Sequence, residues 1–369
     1  MSTPQKLGVG IIGAGEVFQV CHGPCLFLLS HLFKLESVCD ISLTHVDHCA
    51  TKFSIPHKTT KPEDTIDNPK VDVVFILTSD DSHEIQVIRS LQAGKHVFIE
   101  KPVSLSLPST QRIIDAQKGA KNGARVFVGY MRRYAPSYLQ AFKREVASIP
   151  KILYARVRDF SGPNAQFVNQ SGTFQVKGKD FLADSIEERN ARLEVLFQEA
   201  FPGQEITNEK RKACRFLGSL GSHDLSLMRE TLGLPEKVLG FTANDPFYSA
   251  IMWFRNQDGS PYSVTYESGI DEVPVFDAHL SVYGVRKRVT IKYDSPYVKA
   301  LPILVEVEEL NEQGEIQMRS VLSSYEDTYT AELQELYECL VNGREIKTTV
   351  EDAMQDLQIY DMMYKAWQV

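Results

Sequence analysis

Short, nearly unbroken apolar runs punctuate the first third of the chain. Glu36–Asp40 reads as a strand ending in a carboxylate, while Leu7–Ile12, Val71–Leu77, Val97–Glu100 and Ala124–Gly129 are rich in β-branched and aromatic residues. They lack the polar alternation of a half-exposed strand, so each predicts a strand buried on both faces. Helical stretches lie between them: Gly15 to about Leu35, Thr44 onward, Glu84–Gln92 closed by Ala93-Gly94, and Pro108–Lys121. Strands alternating with helices predict a doubly wound parallel sheet.

Beyond Gly129 the pattern changes. Ile152–Arg158 alternates as a strand. The charged stretch Asp180–Lys212 predicts helices on an insertion, with Leu193, Leu196 and Phe197 as their buried face. Cys214–Leu232 predicts one long helix carrying His223. Strands then follow without intervening helices: Lys237–Thr242, Ala250–Phe254, Tyr262–Glu267, Ala278–Tyr283, Lys287–Lys292 and Ile303–Glu308, with a hairpin at Asn256-Gln257-Asp258-Gly259. Thr328–Val341 and Val350–Ala366 are amphipathic and close the chain. The expectation is an α/β protein. Residues 1–129 form a dinucleotide-binding Rossmann domain, and residues 130–369 an α+β domain with a largely antiparallel sheet.

Composition narrows the class. At 369 residues the chain exceeds one comfortable core, which fits two domains. A net charge of −8 opposes a phosphate-backbone partner, so nucleic acid is excluded. No apolar run approaches the ~20 residues that span a bilayer, and Met1–Lys6 lacks a signal-peptide pattern; a cytoplasmic protein without membrane contact is expected. The six cysteines are scattered and make no disulfide framework. Cys21, His22, Cys25, His45, His48 and Cys49 lack paired knuckles, so no metal site is expected.

Candidate chemistry gathers at the carboxyl ends of the first strands, where open parallel sheets bind ligands. Gly13-Ala14-Gly15, followed by Glu16 and Val17 at a helix start, can bring backbone N–H groups to a pyrophosphate. Phe18 stands where a third small residue is usual and requires a looser helix–strand contact. Asp40 ends the second strand, where a carboxylate accepts from an adenosine ribose and repels a 2′-phosphate. No arginine follows it closely, which favours NAD over NADP; the alternative is a helix cap. Thr78, Ser79 and His83 lie on the exit loop of the third run. Glu100-Lys101-Pro102 ends the next, with Pro102 disfavouring a helical Lys101.

Gly10-Ile11-Ile12-Gly13-Ala14-Gly15, Asp40, Gly94-Lys95-His96-Val97 running into Glu100-Lys101-Pro102, and Gly129-Tyr130-Met131-Arg132-Arg133-Tyr134-Ala135-Pro136 follow one another in that order. The chain thereby resembles the Gfo/Idh/MocA oxidoreductases over nearly its whole length. The resemblance implies a nicotinamide cofactor, a small-molecule substrate, and a homodimer or homotetramer formed through the C-terminal sheet. Lys101 would stabilise a developing alkoxide or pass on its proton. Gly221-Ser222-His223-Asp224-Leu225 is similar to the family's histidine-bearing helix and implies His223 as acid/base; the alternative is a histidine satisfied within a packed helix. The family's aspartate one turn earlier is here Ser219, which shifts part of its role to Asp224 or to the substrate. Glu100 is expected beside the cofactor, and Tyr130, Arg132, Arg133, Ser219 and Asp224 at the substrate rim; the alternative for one arginine is pairing with a domain-interface carboxylate. The implied activity is NAD-dependent oxidoreduction of a hydroxyl or ketone on a sugar, polyol or related cyclic alcohol. A non-sugar metabolite, or an NAD(H)-binding regulator without turnover, are the other readings.

Overall fold

A computed structural model describes residues 5–367; of the Met1–Lys6 reading, the first four residues lie outside them. The chain forms two compact units. The first takes the chain up to Tyr130 together with Thr173–Ile206 and Glu332–Met354. The second takes Met131–Gly172, Thr207–Ala331 and the chain from Gln355 onward. The first unit thus recruits two segments that the sequence had placed in a C-terminal domain.

The first unit is built on six strands: β1 (Leu7–Ile12), β2 (Phe33–Cys39), β3 (His57–Thr59), β4 (Val73–Ile76), β5 (His96–Glu100) and β6 (Val126–Gly129). They pair in the order β3-β2-β1-β4-β5-β6, every pair parallel. The order reverses at β1, the place where a doubly wound sheet opens a crevice for a ligand. Across the sheet Phe75, Phe98 and Phe127 are in register. Their rings stack at centroid distances of 4.6 and 5.7 Å. The intervening helices are α1 (Gly23–Leu28), α2 (Leu43–Lys52), α3 (Pro62–Ile66), α4 (His83–Gln92) and α5 (Leu107–Lys118).

Three local expectations changed. The first helical stretch ends at Leu28, not near Leu35, and β2 begins at Phe33. Phe18 is fully buried and edge-on to Phe53 at 5.3 Å. The helix answers its bulk by widening into a π-turn over Phe18–His22. The helix cap at the end of β2 is Ser42, whose hydroxyl accepts from His45 N–H, and not Asp40.

The second unit carries an eight-stranded sheet. Its strands are β7 (Ile152–Ser161), β8 (Lys237–Asn244), β9 (Phe247–Arg255), β10 (Pro261–Ile270), β11 (Phe276–Gly284), β12 (Lys287–Tyr293), β13 (Leu304–Leu310) and β14 (Ile316–Leu322). Their order is β14-β13-β12-β11-β7-β10-β9-β8. Only β7 and β10 pair in parallel; the remainder are antiparallel. Alternate residues of β9 (Tyr248, Ala250, Met252 and Phe254) are buried, as a one-sided sheet requires. The long helix expected over Cys214–Leu232 is interrupted: α-helix to Phe216, a π-turn over Leu217–Gly221, then α-helix over Ser222–Leu232. Gly221 lets Tyr266 approach, since a Cβ there would stand 2.7 Å from the tyrosine hydroxyl.

No helix among the described residues is long and apolar enough to cross a membrane. All six cysteines are buried and none is in a disulfide. Among the described residues no group of three His, Cys, Asp or Glu could hold a metal ion.

Candidate active site

In the first unit, the end of β1 turns through Gly13, whose φ of +99° suits glycine. A Cβ there would lie 2.6 Å from the Leu77 carbonyl, so the turn presses against the end of β4. Gly15 has nothing within 4 Å of where its Cβ would stand. Its carbonyl accepts from Gln19 N–H at 3.0 Å, which places it at the start of the helix. A close turn followed by an open, positively polarised helix start is the cradle a pyrophosphate requires. The dinucleotide expected from the sequence fits it.

A cavity of about 470 Å³ opens from this turn. Gly13, Gly15, Asp40, Thr78 and Ser79 line it. Asp40 accepts from Ala14 N–H at 2.7 Å and from Ser42 N–H at 2.9 Å. Its Oδ1 lies 3.3 Å from His45 Nδ1. The His45 Nε2 in turn accepts from Gly178 N–H at 2.8 Å, so the ring proton belongs on Nδ1, toward Asp40. That hydrogen bond raises the His45 pKa against the effect of burial.

Other anticipated residues are placed differently. Ala14 is fully buried, and the Glu16 carboxylate accepts from Gln175 Nε2. Val17 is half-buried at the helix start. His83 is buried and does not line the cavity: Nδ1 lies 2.8 Å from the Pro102 carbonyl and Nε2 3.1 Å from that of Thr78. It clamps the exit loops of β4 and β5 together. Glu100 also lies beneath the surface. Its Oε1 is 2.7 Å from His22 Nε2, and its Oε2 accepts from Lys101 N–H at 3.1 Å. Burial pushes the Glu100 carboxyl up, but His22 and the Lys101 charge outweigh this and hold it below the usual range. Lys101 is half-buried at the very end of β5, its backbone fixed by the Glu100 carboxylate. Sequence reasoning missed His22. The signal was a Gln19–His22 pair, three apart, inside an otherwise apolar helix.

In the second unit, Arg132 and Asp224 are not at a rim. The Arg132 guanidinium is buried, 2.9 Å from Asp159 and hydrogen-bonded to Asp224. Burial, and the neighbouring Asp159, push the Asp224 carboxyl well above its ordinary value despite Arg132. Arg133 is likewise buried, paired with Glu230, and Tyr130, which ends the first unit, is buried. Four of the five expected rim residues are therefore interior, because two arginines next to one another each required a carboxylate once out of water. Ser219 is exposed within the π-turn, its hydroxyl donating to the Phe216 carbonyl at 3.3 Å. His223 is half-buried in the first turn of the helix that follows.

A glycine-turn cradle, an acidic β2 end and a Glu-Lys-Pro strand end all lie on the nucleotide-binding side of one unit. Residues 7–130 match the description "Oxidoreductase family, NAD-binding Rossmann fold", and residues 202–368 match that family's C-terminal alpha/beta domain. The chain belongs to the Gfo/Idh/MocA oxidoreductase family. An uncharacterized oxidoreductase, YrbE of Bacillus subtilis (strain 168), is 23% identical over 362 residues, covering 95% of this chain and 91% of that protein. The scyllo-inositol 2-dehydrogenase (NAD(+)) of the same organism is 31% identical over 142 residues, covering 38% and 41% of the two chains. Among solved structures, levoglucosan dehydrogenase in complex with NADH and levoglucosan superposes with a TM-score of 0.74 at 16% identity, covering 98% of this chain and 97% of its own. KijD10, a 3-ketoreductase from Actinomadura kijaniata in complex with NADP and TDP-benzene, gives 0.71 at 14% identity, covering 99% and 98%. The family match makes this Gfo/Idh/MocA protein an oxidoreductase with an NAD-binding Rossmann fold, and the solved structures share its fold.

Proposed function

We propose that this protein is an NAD-dependent dehydrogenase or reductase acting on a hydroxyl or ketone of a cyclic polyol or sugar. The observation that carries the reading is the common sheet end holding the Gly13–Gly15 cradle, Asp40, and Lys101 anchored by Glu100. The inositol and levoglucosan dehydrogenases it resembles support the substrate class. The dinucleotide supplies the hydride acceptor or donor. Gly13 and Gly15 let backbone N–H groups meet its phosphates, and Asp40 offers carboxylate oxygens to a ribose and repels a 2′-phosphate, hence NAD over NADP.

Lys101 has the role of stabilising the alkoxide that develops as a C–H bond breaks: a fixed ammonium is worth most where charge appears. Glu100 positions it through the backbone and touches neither reactant. His223 takes or returns the hydroxyl proton at a ring nitrogen, with Ser219 in place of an anionic neighbour. On this reading the protein works in the cytoplasm, its buried thiols reduced. It associates as a homodimer or homotetramer through the second unit's sheet, where Leu239 and Ile251 are exposed. The test is a panel of polyols, sugars and hydroxy acids with NAD and NADP, followed by absorbance of the reduced nicotinamide. Turnover of hydroxy acids alone, or of nothing in the panel, would overturn the substrate class.

A further inference from the structure

Residues 131–201 fall outside both matched family regions, yet the segment from Thr173 to Ala200 packs within the first unit. Its extended part is laced to the nucleotide-binding edge by polar contacts along its length. Lys52 Nζ donates to the Phe174 carbonyl at 2.7 Å. The Gln19 side chain pairs with Val176 in both directions, accepting at 2.7 Å and donating at 3.1 Å. The same amide donates to the Ala14 carbonyl at 2.8 Å, tying the strap to the glycine turn itself. Gly178 donates to His45 as described; a Cβ there would stand 2.3 Å from the Ser42 hydroxyl. Asp180 accepts from Ser42 Oγ and, at 3.1 Å, from Thr44 N–H.

The helix Ala183–Ala200 follows at once and forms the opposite wall of the cavity. Phe181, Ser185, Arg189 and Arg192 face the same space as Gly13, Gly15 and Asp40. The two arginines differ in their engagement. Arg192 is bound to Asp81, with Nε and Nη2 each 2.9 Å from Oδ2. Arg189 only approaches that carboxylate, its Nε 3.9 Å from Oδ1. The Arg189 Nε is buried and has no hydrogen-bond partner. One carboxylate is thus shared by two guanidinium groups that line the same cavity as the glycine turn, and one of them, its side chain 39% exposed, retains an Nε donor without a hydrogen-bond partner. A guanidinium in that condition matches a phosphate oxygen in charge and fork geometry.

We infer that the inserted segment is a clasp on the bound dinucleotide, with Arg189 donating to a pyrophosphate oxygen. This rests on the proposed function in that a nicotinamide dinucleotide occupies the cavity. Arg189 and the extended segment before it lie outside both matched family regions, whereas the glycine turn and Asp81 lie within the first.

The experiment is calorimetric titration of wild type, Arg189→Ala and Arg189→Lys with NADH, NADPH, ADP-ribose and reduced nicotinamide mononucleotide, with circular dichroism and melting to verify the fold. Loss of a charge-assisted hydrogen bond weakens binding about ten- to a hundredfold. Arg189→Ala should lose that factor equally for NADH and ADP-ribose and little for the mononucleotide, which lacks the pyrophosphate. Arg189→Lys should fall between. Unchanged NADH affinity in Arg189→Ala, equal loss for the mononucleotide, or a loss confined to NADPH (which would put the arginine at a 2′-phosphate) each overturns the clasp. A wild type that binds none of the dinucleotides overturns the proposed function and the clasp together.

Discussion

His22 Nε2 stands 2.7 Å from Glu100 Oε1, joining the first helix of the nucleotide-binding unit to the end of β5 across 78 residues of sequence. His22 is itself braced edge-on against Phe98 and Phe75, at 5.1 and 6.0 Å. The stacked phenylalanines fix the imidazole, the imidazole fixes Glu100, and Glu100 fixes the backbone of Lys101. Removing the imidazole while keeping a ring, as in His22→Phe, leaves a buried carboxylate without its partner. That should cost about 3–5 kcal/mol, seen as a fall in melting temperature, and adding Glu100→Gln should recover part of it. The Glu100 pKa is lowered by folding, so the pair's stability is present above the unfolded value of 4.5 and is lost as pH falls through the folded one. Equal melting temperatures of wild type and His22→Phe at neutral pH would show the contact to be idle.

Lys101→Met keeps side-chain length and removes the charge. Single-turnover hydride transfer should drop by about two to three orders of magnitude, while NADH affinity changes little. Near-normal transfer in this variant would remove Lys101 from the chemistry.

Asp40 is expected to set cofactor preference. Replacing it with Ser removes the repulsion toward a 2′-phosphate and should shrink the ratio of NADPH to NADH dissociation constants. A wild type that binds NADPH more tightly than NADH would reverse the assignment.

His223 is tested by its pH profile. An anion within a few ångströms favours the imidazolium, so Ser219→Asp should move the acidic limb of the oxidation profile to higher pH. His223→Ala should abolish that limb. A profile that ignores both changes means that the histidine is structural and the proton leaves through another group.

Glu332 is wholly buried, and neither of its carboxylate oxygens has a hydrogen-bond partner. Burial, reinforced by the negative Glu100 and only partly offset by Lys347, holds its pKa well above 4.5. The folded state therefore favours the proton. The stability this contributes is full below the unfolded value and declines as pH rises toward the folded one. Glu332→Gln removes this dependence: its melting temperature should exceed that of wild type at pH 8 and converge with it near pH 4. A constant difference across that range would refute the neutral-acid assignment.

Local pattern along the chain was enough to place five of the six strands of the parallel sheet, the glycine turn, Asp40 at the end of β2, Lys101 at the end of β5 and the antiparallel character of the second sheet. These are local properties: apolar periodicity, a turn that needs positive φ, and a charged residue placed where a buried strand ends. The three-residue strand β3 was missed because His57–Thr59 carries too few residues to show a period. Tertiary structure alone decided which polar groups meet. Arg132 and Arg133 read as substrate-rim residues, and only the fold shows that Asp159, Asp224 and Glu230 draw them inside. His22 read as one member of a loose cysteine–histidine cluster until Glu100 was placed against it. Asp180–Lys212 read as an insertion with a buried helix face, and nothing in its spacing brings Arg189 into the cavity that the glycine turn lines. Pairing across long sequence separations is set by burial, where a charge must find its partner or lose its proton, and no local pattern encodes that partner's position.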